Sequence, residues 1–560
     1  MNKRIKCLII VEVFLGSVFS LTASVSLLAE TGISTPAMSS SLLQPTAITV
    51  AEALPEVASE TVLLPTRESV PQSVFTSENA PVSVKAEISG NEAVSESAVV
   101  SGSNTEMAST EGASQTVTIS AEEWAKMQAD LANIKQQLAD DKAKEAEKIK
   151  ADKLKKYETP QIKLNGVIMW DGAFSSLDQE AEVATNSGDV SGTKLRQAWI
   201  DLTGSMYEMI NYRLTYDVSN STIKDAWIGF YNLPSEIDVK FGHMKEPWSG
   251  EELTTVAAAT FIEKSYLNDL RGICGSRNNG ILASNWRVAD RFSWAAGVFA
   301  SSMKEDSLNC VGDNGHMAFT GRVTYLPYFE ENNLGQKFFL HLGGSYSYRS
   351  YDQSKANAYG TKCSFLADSQ IAPNALNTGT LDGLDSLNAL CFEVFWMRGP
   401  LSVDFEQGFF FMEDDRAGNA LLQTGYVQVS YMLTGESRNY RKAGGSYGRL
   451  KPNDPFIRTC KDGIGVFSGP GAWEVAYMFT WVDTDELVSG YATETHHTGY
   501  YGKSVMNCFA LNWYLNQNCK VAFNYALVHS DYSGYNAQGA NIDGTDGTQH
   551  VFATRFQVNF

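Results

Sequence analysis

The chain has 560 residues, of which 19% are charged and 11% aromatic, and its formal net charge is −20. This composition excludes disorder along the whole chain, and the acidic balance gives no reason to expect a nucleic-acid partner. Beyond the N-terminus there is no run of about 18 apolar residues, which excludes a bundle of membrane-spanning helices. A protein of this kind can span a membrane only as a β-barrel, whose strands hydrogen-bond to one another around a closed sheet.

The N-terminus has the layout of an export signal. Three basic residues precede a mostly apolar stretch from Leu8 to Leu28, and small residues suited to signal cleavage stand near its end, at Ala23, Ser26 and Ala29. We therefore predict a signal peptide over residues 1–29 and export across the inner membrane. The alternative is a single membrane-anchor helix, which Glu12 and the many Ser and Thr residues disfavour.

Residues 30–117 are predicted to be a disordered tether in the periplasm. From Thr31 to Thr116 the chain consists largely of Ser, Thr, Ala, Val and Glu, and Phe75 is its one aromatic residue. Such a segment buries too little apolar surface to offset the chain entropy that is lost on folding.

Residues 118–157 are predicted to form a periplasmic coiled-coil helix. Ser120 followed by Glu123 is a capping box, and apolar residues then recur at spacings of three and four, at Trp124, Met127, Leu131, Ile134 and Leu138. This seam favours self-association, but so short a coil needs a second interface to give a stable homotrimer. The alternative is an amphipathic helix that lies on the protein's own barrel.

Residues 158–560 are predicted to form an antiparallel transmembrane β-barrel. Apolar and polar residues alternate in short segments such as Asn211–Ser219 and Phe338–Ser350, and Gly, Asn, Asp and Ser separate these segments. One face of such a strand suits lipid and the other suits water. At about 25 residues per strand with its connection, the length predicts about sixteen strands and a water-filled lumen, although fourteen or eighteen also fit.

The end of the chain favours a barrel over the main alternative, which is a soluble two-sheet sandwich. The last strand places an apolar row on one face, consisting of Phe552, Phe556, Val558 and the terminal Phe560. A chain that ends on an aromatic residue after an alternating strand resembles the recognition signal of outer-membrane barrel assembly.

From Gln161 to Phe560 the chain resembles the phosphate-selective porin O and P family. The resemblance rests on motifs that occur in the family's order, namely Leu195–Gly204, Tyr212–Asp217, Ile223–Gly229, Phe241–Ser249, Glu251–Thr254, Thr260–Ser265, Tyr431–Glu436, Gly448–Pro452, Gly471–Glu474 and Leu511–Leu515. It implies a sixteen-stranded trimeric porin with a long loop after Pro247 that folds into the pore and narrows it. Basic side chains along this constriction would attract small anions such as phosphate.

Eight basic residues are candidates for lining the pore. Four belong to the loop or lie beside it, and four fall on the water-facing side of strands by alternation; together they are Lys245, Lys264, Arg271, Arg277, Arg213, Lys240, Arg322 and Arg349. The alternative for each is an ordinary hydrated charge of the lumen or rim.

The charge balance favours a general or weakly selective porin over a dedicated phosphate channel. From Glu158 onward about 30 basic residues stand against 44 acidic ones. Four of the acidic residues occupy the same loop that should attract phosphate, at Glu251, Glu252, Glu263 and Asp269.

Seven cysteines remain after removal of the signal, at Cys274, Cys310, Cys363, Cys391, Cys460, Cys508 and Cys519. The envelope is oxidising, so disulfides within the chain, between subunits or to other envelope proteins are expected, with buried free thiols as the alternative. No metal site or other cofactor is expected, because no close Cys/His cluster with zinc spacing occurs. No motif of a known catalytic site is present, so we do not expect an enzyme.

The sequence therefore predicts an outer-membrane porin of a Gram-negative type bacterium, which forms a channel for small hydrophilic solutes and ions. A second class stays open. The tether and coiled coil also fit a structural envelope protein or an adhesin, in which the barrel anchors a periplasmic stalk that contacts the cell wall.

Overall fold

The computed structural model describes residues 120–158, 160–286, 291–301, 316–351, 362–456, 458–459, 466–491, 499–536 and 539–560. The predicted signal peptide and tether lie outside these residues. The first described element is a helix, α1, which spans Ala121–Glu158 and covers the segment with the coiled-coil pattern. None of the helices that the structure describes is both long and apolar enough to cross a membrane.

Helix α1 begins directly after Ser120, and Glu122 and Glu123 lie in its first turn, where carboxylates interact favourably with the helix dipole. The apolar side chains of the seam are 46–59% exposed at Met127, Leu131, Ile134 and Leu138. In a single chain the seam is therefore an uncovered apolar row.

Sixteen antiparallel strands form one closed barrel in chain order, and the last strand pairs with the first. This confirms the predicted fold class and strand number. The strands are β1 Gln161–Leu177, β2 Val190–Met206, β3 Ile210–Asp217, β4 Thr222–Leu233, β5 Ile237–Lys245, β6 Arg277–Ser284, β7 Phe292–Ala300, β8 Met317–Glu331, β9 Lys337–Ser350, β10 Leu384–Arg398, β11 Leu401–Asp414, β12 Gly418–Met432, β13 Ala472–Asp483, β14 Tyr501–Tyr514, β15 Cys519–Ser533 and β16 Thr545–Asn559.

Short elements occupy the connections between these strands. The short helices are α2 Gln179–Thr185, α3 Gly250–Leu253, α4 Tyr266–Arg271 and α5 Val488–Tyr491, and the 3₁₀ turns are Pro234–Glu236, Val256–Ala258, Gly272–Cys274 and Asp485–Leu487. Three two-stranded ribbons pair Ser364–Phe365 with Leu376–Asn377, Asn439–Arg441 with Ser446–Gly448, and Arg458–Thr459 with Val466–Phe467.

The alternation along the strands separates an outer apolar surface from a polar interior. In β16 the side chains of Phe556 and Val558 are about half exposed, whereas Arg555 and Gln557 are buried. The predicted faces of β3 and β9 follow the same rule, with one exception. Leu340, predicted on the apolar outer face of β9, is buried where the neighbouring strand β8 has an irregular register, because a bulge changes the direction of the side chains.

The two ends of the barrel carry different connections. We call the end where β1 begins and β16 ends the near end, and the opposite end the far end. Most described near-end connections are short turns, such as residues 399–400, as is usual for one end of such barrels. Long connections leave the far end at residues 246–276 and 351–383, but the near end also has a long one, at residues 433–471. That near-end connection was not expected from the sequence.

The junction between strands β1 and β16 is expected to be sensitive to substitution at Gly166. A Cβ on Gly166 would lie 2.5 Å from the backbone oxygen of Trp199 and 2.3 Å from the Phe560 ring. We expect Gly166→Ala to lower the free energy of unfolding by about 1–3 kcal/mol, because backbone must move to make room. Denaturant unfolding of the refolded barrel, followed by tryptophan fluorescence, measures this change.

Gly172→Ala, in the same strand, is the matched control, because its Cβ would meet ordinary contacts of 3.5 Å or more. Its effect should stay within about 0.5 kcal/mol. Equal destabilisation by the two substitutions would show that the contact with Trp199 and Phe560 does not matter.

Candidate functional site

The connection between β5 and β6 crosses the interior of the barrel, and we call residues 246–276 the inward loop. Ser249 begins its first helix with a positive φ of 62°, and its side chain accepts a hydrogen bond from the Glu252 N–H. Trp248 is fully buried and packs against Phe410, with ring centroids 5.6 Å apart. The inward fold that the family resemblance implies is therefore present.

Hydrogen bonds attach the inward loop to the opposite wall of the barrel. The Tyr266 N–H donates to Thr480 Oγ1 at 3.1 Å, and Asn512 Nδ2 donates to the Thr260 carbonyl at 2.9 Å. Lys520 Nζ donates to the Ala259 carbonyl at 2.8 Å. The loop thus spans the lumen instead of hanging at its mouth.

A segment from the far end covers the inward loop on one side. We call residues 362–383 the far-end segment. Its Asp368 Oδ1 accepts from the Glu263 N–H at 3.1 Å, and its Leu366 N–H donates to Asp269 Oδ2 at 2.8 Å. The ring of Phe365 meets Tyr266 edge to face at 5.8 Å.

A segment from the near end meets the inward loop on another side. We call residues 433–456 the near-end segment. Its Tyr447 N–H donates to Thr254 Oγ1 of the inward loop at 3.1 Å, and its Tyr440 ring packs on Phe339 of the wall at a centroid distance of 4.2 Å. Two of the family motifs, Tyr431–Glu436 and Gly448–Pro452, overlap this segment, but neither they nor the length of the connection after β12 led us to predict that it packs inside the barrel.

A narrow cavity remains between the inward loop, the near-end segment and the wall. Three carboxylates and two basic groups line it, together with four aromatic rings; these residues are Glu251, Glu263, Asp404, Lys264, Arg438, Phe261, Phe395, Tyr426 and Tyr447. We call this cavity the passage. Lys264 is the one residue of the eight candidates that lines it.

Two of the eight candidates pair with one carboxylate of the inward loop. Lys245 Nζ lies 2.9 Å from Glu252 Oε1, and Lys264 Nζ lies 3.2 Å from Glu252 Oε2. Burial alone would raise the pKa of Glu252, but the two ammonium groups outweigh burial and hold the pKa below its usual value. The two lysines therefore share one carboxylate.

Three candidates pair with carboxylates of the barrel wall. Arg213 binds Asp201 through two nitrogens at 2.7 and 3.2 Å, and Arg277 Nε lies 3.5 Å from Asp225 Oδ1. Arg322 binds Glu393 through two nitrogens at 2.7 and 2.5 Å and also donates to carbonyls of the near-end segment. Its side chain is buried.

Within the residues that the structure describes, the last three candidates, Arg271, Arg349 and Lys240, do not have a wall carboxylate of their own. Arg271 and Arg349 share the single carboxylate of Glu246 and are buried. Lys240 has no carboxylate within ion-pair distance among the described residues. Its Nζ lies 4.8–6.0 Å from the centroids of three aromatic rings, those of Trp227, Trp286 and Tyr231. Seven of the eight candidates are thus paired with carboxylates.

Other interior cations were not among the candidates. Arg196 binds Glu263 through two nitrogens at 2.7 and 2.9 Å, and Arg555 binds Asp171 through two nitrogens at 2.7 Å each. Arg438 pairs with Asp404. Arg555 could have been found from the alternation of the last strand, where it stands opposite the apolar row.

None of the described cysteines forms a disulfide with another described cysteine. Four of them are buried and Cys519 is partly exposed; the buried ones are Cys274, Cys363, Cys391 and Cys508. Cys310 and Cys460 lie outside the described residues. For the four buried cysteines the structure agrees with the alternative of buried thiols.

One cluster has the composition of a metal site that the sequence did not predict. The ligand atoms of Cys391, Glu393 and Glu406 lie within 4.8 Å of one another. Both carboxylates already have protein partners, because Arg322 holds Glu393 and the Glu251 N–H and Tyr426 hydroxyl donate to Glu406.

Asp368 gives the site a pH dependence. Burial raises its pKa to about 7, in spite of hydrogen bonds from the Glu263 N–H and Asn524. A raised carboxyl pKa means that the folded protein loses stability as pH rises from about 4 to about 7. Asp368→Asn should remove this loss, so that the variant equals the wild type near pH 4 and exceeds it at pH 8 by on the order of 2–4 kcal/mol.

Denaturant unfolding at a series of pH values measures this difference. Asn524 Oδ1 has no other partner, so a flipped Asn524 amide can still bond to the amide introduced at position 368. Asp385→Asn, at an exposed carboxyl of β10, is the control and should give no such pH-dependent gain. A constant difference across the pH range would refute the role of Asp368.

Comparisons with known proteins agree with this architecture. The family model "Phosphate-selective porin O and P" matches residues 162–560. Porin O of Pseudomonas aeruginosa is 26% identical over 401 residues, which cover 67% of this chain and 84% of Porin O. An uncharacterized protein of Caulobacter vibrioides is 24% identical over 388 residues, which cover 66% of this chain and 68% of that protein.

Solved structures give weaker likenesses. The anion-selective porin from Comamonas acidovorans is 12% identical with a TM-score of 0.42, covering 72% of this chain and all of that one. The outer membrane channel DcaP of Acinetobacter baumannii is 11% identical with a TM-score of 0.39, covering 72% of this chain and 99% of that one. The family match, which extends over nearly the whole barrel, decides the assignment: the chain belongs to the phosphate-selective porin O and P family and is an outer-membrane porin of the Gram-negative type.

Proposed function

We propose that this porin is a weakly selective channel, in which small hydrophilic solutes and ions of both signs move along the passage beside the inward loop. The observation that carries the proposal is the pairing of seven of the eight candidate cations with carboxylates. A pore selects anions when unmatched positive charge lines a region of low dielectric constant. The seven cations contact five carboxylates, which offset most of that field.

The lining of the passage supports the same conclusion. Its charged residues are three carboxylates and two basic groups, so no excess of positive charge faces a passing ion. The family description and the name of the Comamonas relative give phosphate and anion selectivity for those proteins. For this chain, a phosphate preference would have to come from cations without a carboxylate within ion-pair distance in the described part of the barrel, such as Lys240 and Lys520.

Glu252 offers a direct test, because it is the carboxylate that pairs with both Lys245 and Lys264. Glu252→Gln should free Lys245 and Lys264, and we expect the chloride-to-potassium permeability ratio to rise about threefold, equivalent to about 0.6 kcal/mol in barrier height. The measurement is the reversal potential of the refolded protein in a planar bilayer under a KCl gradient.

Glu331→Gln is the matched control, because Glu331 lies exposed at the end of β8 and should not alter the ratio. Phosphate added to the wild-type channel distinguishes a weakly selective pore from a phosphate channel. Strong anion preference of the wild type together with block by phosphate at low concentration would overturn weak selectivity in favour of a phosphate channel.

We infer that the protein works as a homotrimer with α1 as a periplasmic coiled coil, exported by a signal peptide at residues 1–29 and joined through a tether at residues 30–117. The support is the uncovered apolar row on α1 together with the heptad spacing of the sequence. A row of this kind is costly to leave in water, and a second and third copy of the helix would cover it.

Substitutions on the seam test this inference. Replacing both Leu131 and Ile134 by Asp should destabilise the trimer by about 3 kcal/mol or more per chain, because two apolar side chains lose their buried environment. The amount of trimer in native gels over a temperature series measures the effect. Gln137→Asp adds negative charge off the seam and should leave the trimer unchanged.

A deletion experiment addresses the alternative of a structural envelope protein, which the exposed row of α1 also favours. A chain lacking residues 31–156 should still conduct if transport is the main role. Loss of contact between outer membrane and cell wall, with unchanged conductance, would make the stalk an additional function. A deletion variant that folds but does not conduct would refute the porin role of the isolated barrel.

A further inference from the structure

Two arginines at the root of the inward loop share one carboxylate. Arg271 Nη2, from the loop, lies 2.9 Å from Glu246 Oε2, and Arg349 Nη2, from β9, lies 2.6 Å from Glu246 Oε1. All three side chains are at most 1% exposed. Asn278 Nδ2 and the Thr320 hydroxyl also donate to Glu246. The carboxylate is therefore saturated, while the group as a whole carries one unmatched positive charge.

The remaining nitrogens of the two arginines have no hydrogen-bond acceptor among the described residues, although the Arg271 guanidinium lies 5.2 Å from the centroid of the Trp248 ring. Nε and Nη1 of Arg271 and Nε and Nη1 of Arg349 are buried and make no hydrogen bond. Buried N–H groups almost always have an acceptor, and guanidinium nitrogens are strong donors to anions. Two other buried arginines of the interior, Arg322 and Arg555, instead use two nitrogens each on one carboxylate.

Two neighbouring side chains could in principle supply the missing negative charge. Tyr351 is excluded, because burial raises the pKa of its hydroxyl well above the usual value, and the hydroxyl donates to the Ile273 carbonyl. Cys274 is fully buried and interacts electrostatically with Arg349. Of the described residues around the two arginines, its thiolate is the group left to consider, and a substitution can test it.

We propose that Arg271 and Arg349 together bind one small monovalent inorganic anion, of the size of chloride, in a closed site at the root of the inward loop. One negative charge balances the group, and a spherical anion accepts N–H donors from both guanidinium groups without fixed directions. Neither arginine lines the passage, so under the proposed function, on which this step rests, the site is separate from the path of transported solutes. The bound anion joins the loop to β9 and so helps to hold the loop in place.

Crystals of the wild-type trimer grown or soaked in bromide give the first test. We expect an anomalous peak within hydrogen-bond distance of the free nitrogens of Arg271 and Arg349, and this measurement requires no variant to fold. Absence of a peak there, in crystals that show bromide elsewhere on the protein, would overturn the proposal.

The stability of the wild type in chloride gives the second test. Chloride is exchanged for gluconate at constant ionic strength, and unfolding is followed by tryptophan fluorescence. One anion released on unfolding should lower the unfolding constant close to tenfold for each tenfold rise in chloride above its dissociation constant. No dependence in the wild type would contradict the proposal.

Three variants test which residues cause the dependence of stability on chloride. Arg349→Gln removes the unmatched charge and should abolish the chloride dependence. Arg213→Gln is the matched control, because Arg213 is paired with Asp201, and it should retain the dependence. Cys274→Ser should also retain it. If instead the wild type is independent of chloride and Cys274→Ser becomes dependent on it, the Cys274 thiolate supplies the charge and the anion site is refuted.

Discussion

The structure depends on the pairing of buried charges between the inward loop and the barrel wall. Three carboxylates of the loop each meet a basic residue of a different strand: Glu246 meets Arg349 of β9, Glu252 meets Lys245 of β5, and Glu263 meets Arg196 of β2 and Arg555 of β16. Removing one partner of a buried pair costs about 3–5 kcal/mol, because the other charge is left without compensation. The loop is thus fixed at three places around the lumen. Apolar contacts alone would define the position of the loop less precisely.

This mode of attachment has a consequence for permeation. A cation that anchors the loop through an ion pair presents less positive charge to a passing anion, because the carboxylate offsets part of it. The acidic residues of the loop, which conflict with phosphate attraction when seen in the sequence alone, have a structural role in the folded protein, because Glu252 and Glu263 bind basic side chains. Anchoring and anion attraction therefore draw on the same residues, and here anchoring takes most of them.

The sequence predicted the barrel well and the site only in part. A period of two residues identifies strands and assigns each side chain to a face, so that the polar face of β3 and the apolar row of β16 followed directly. The same period does not tell which side chains form ion pairs with each other. Arg322 and Glu393, for example, pair although they are 71 positions apart. The alternation also could not predict burial. Whether a side chain on the inner face is hydrated or covered depends on what fills the lumen. Arg349 faces inward as predicted, but loop residues cover it completely.

The near-end segment was the largest omission, and it changes how the lumen is understood. It has no strong alternation or apolar run, and it is held by contacts that only the folded barrel creates, such as the bonds from Arg322 to Gly444 and Gly445. With the far-end segment on Asp269 and Glu263, and the near-end segment on Thr254, the inward loop has protein on both sides. A loop packed in this way is poorly suited to swing as a gate. The cavity that remains beside the loop is lined by Lys264 and Arg438 and by Glu251, Glu263 and Asp404. If solutes cross there, as we propose, these five charges are the ones that they meet.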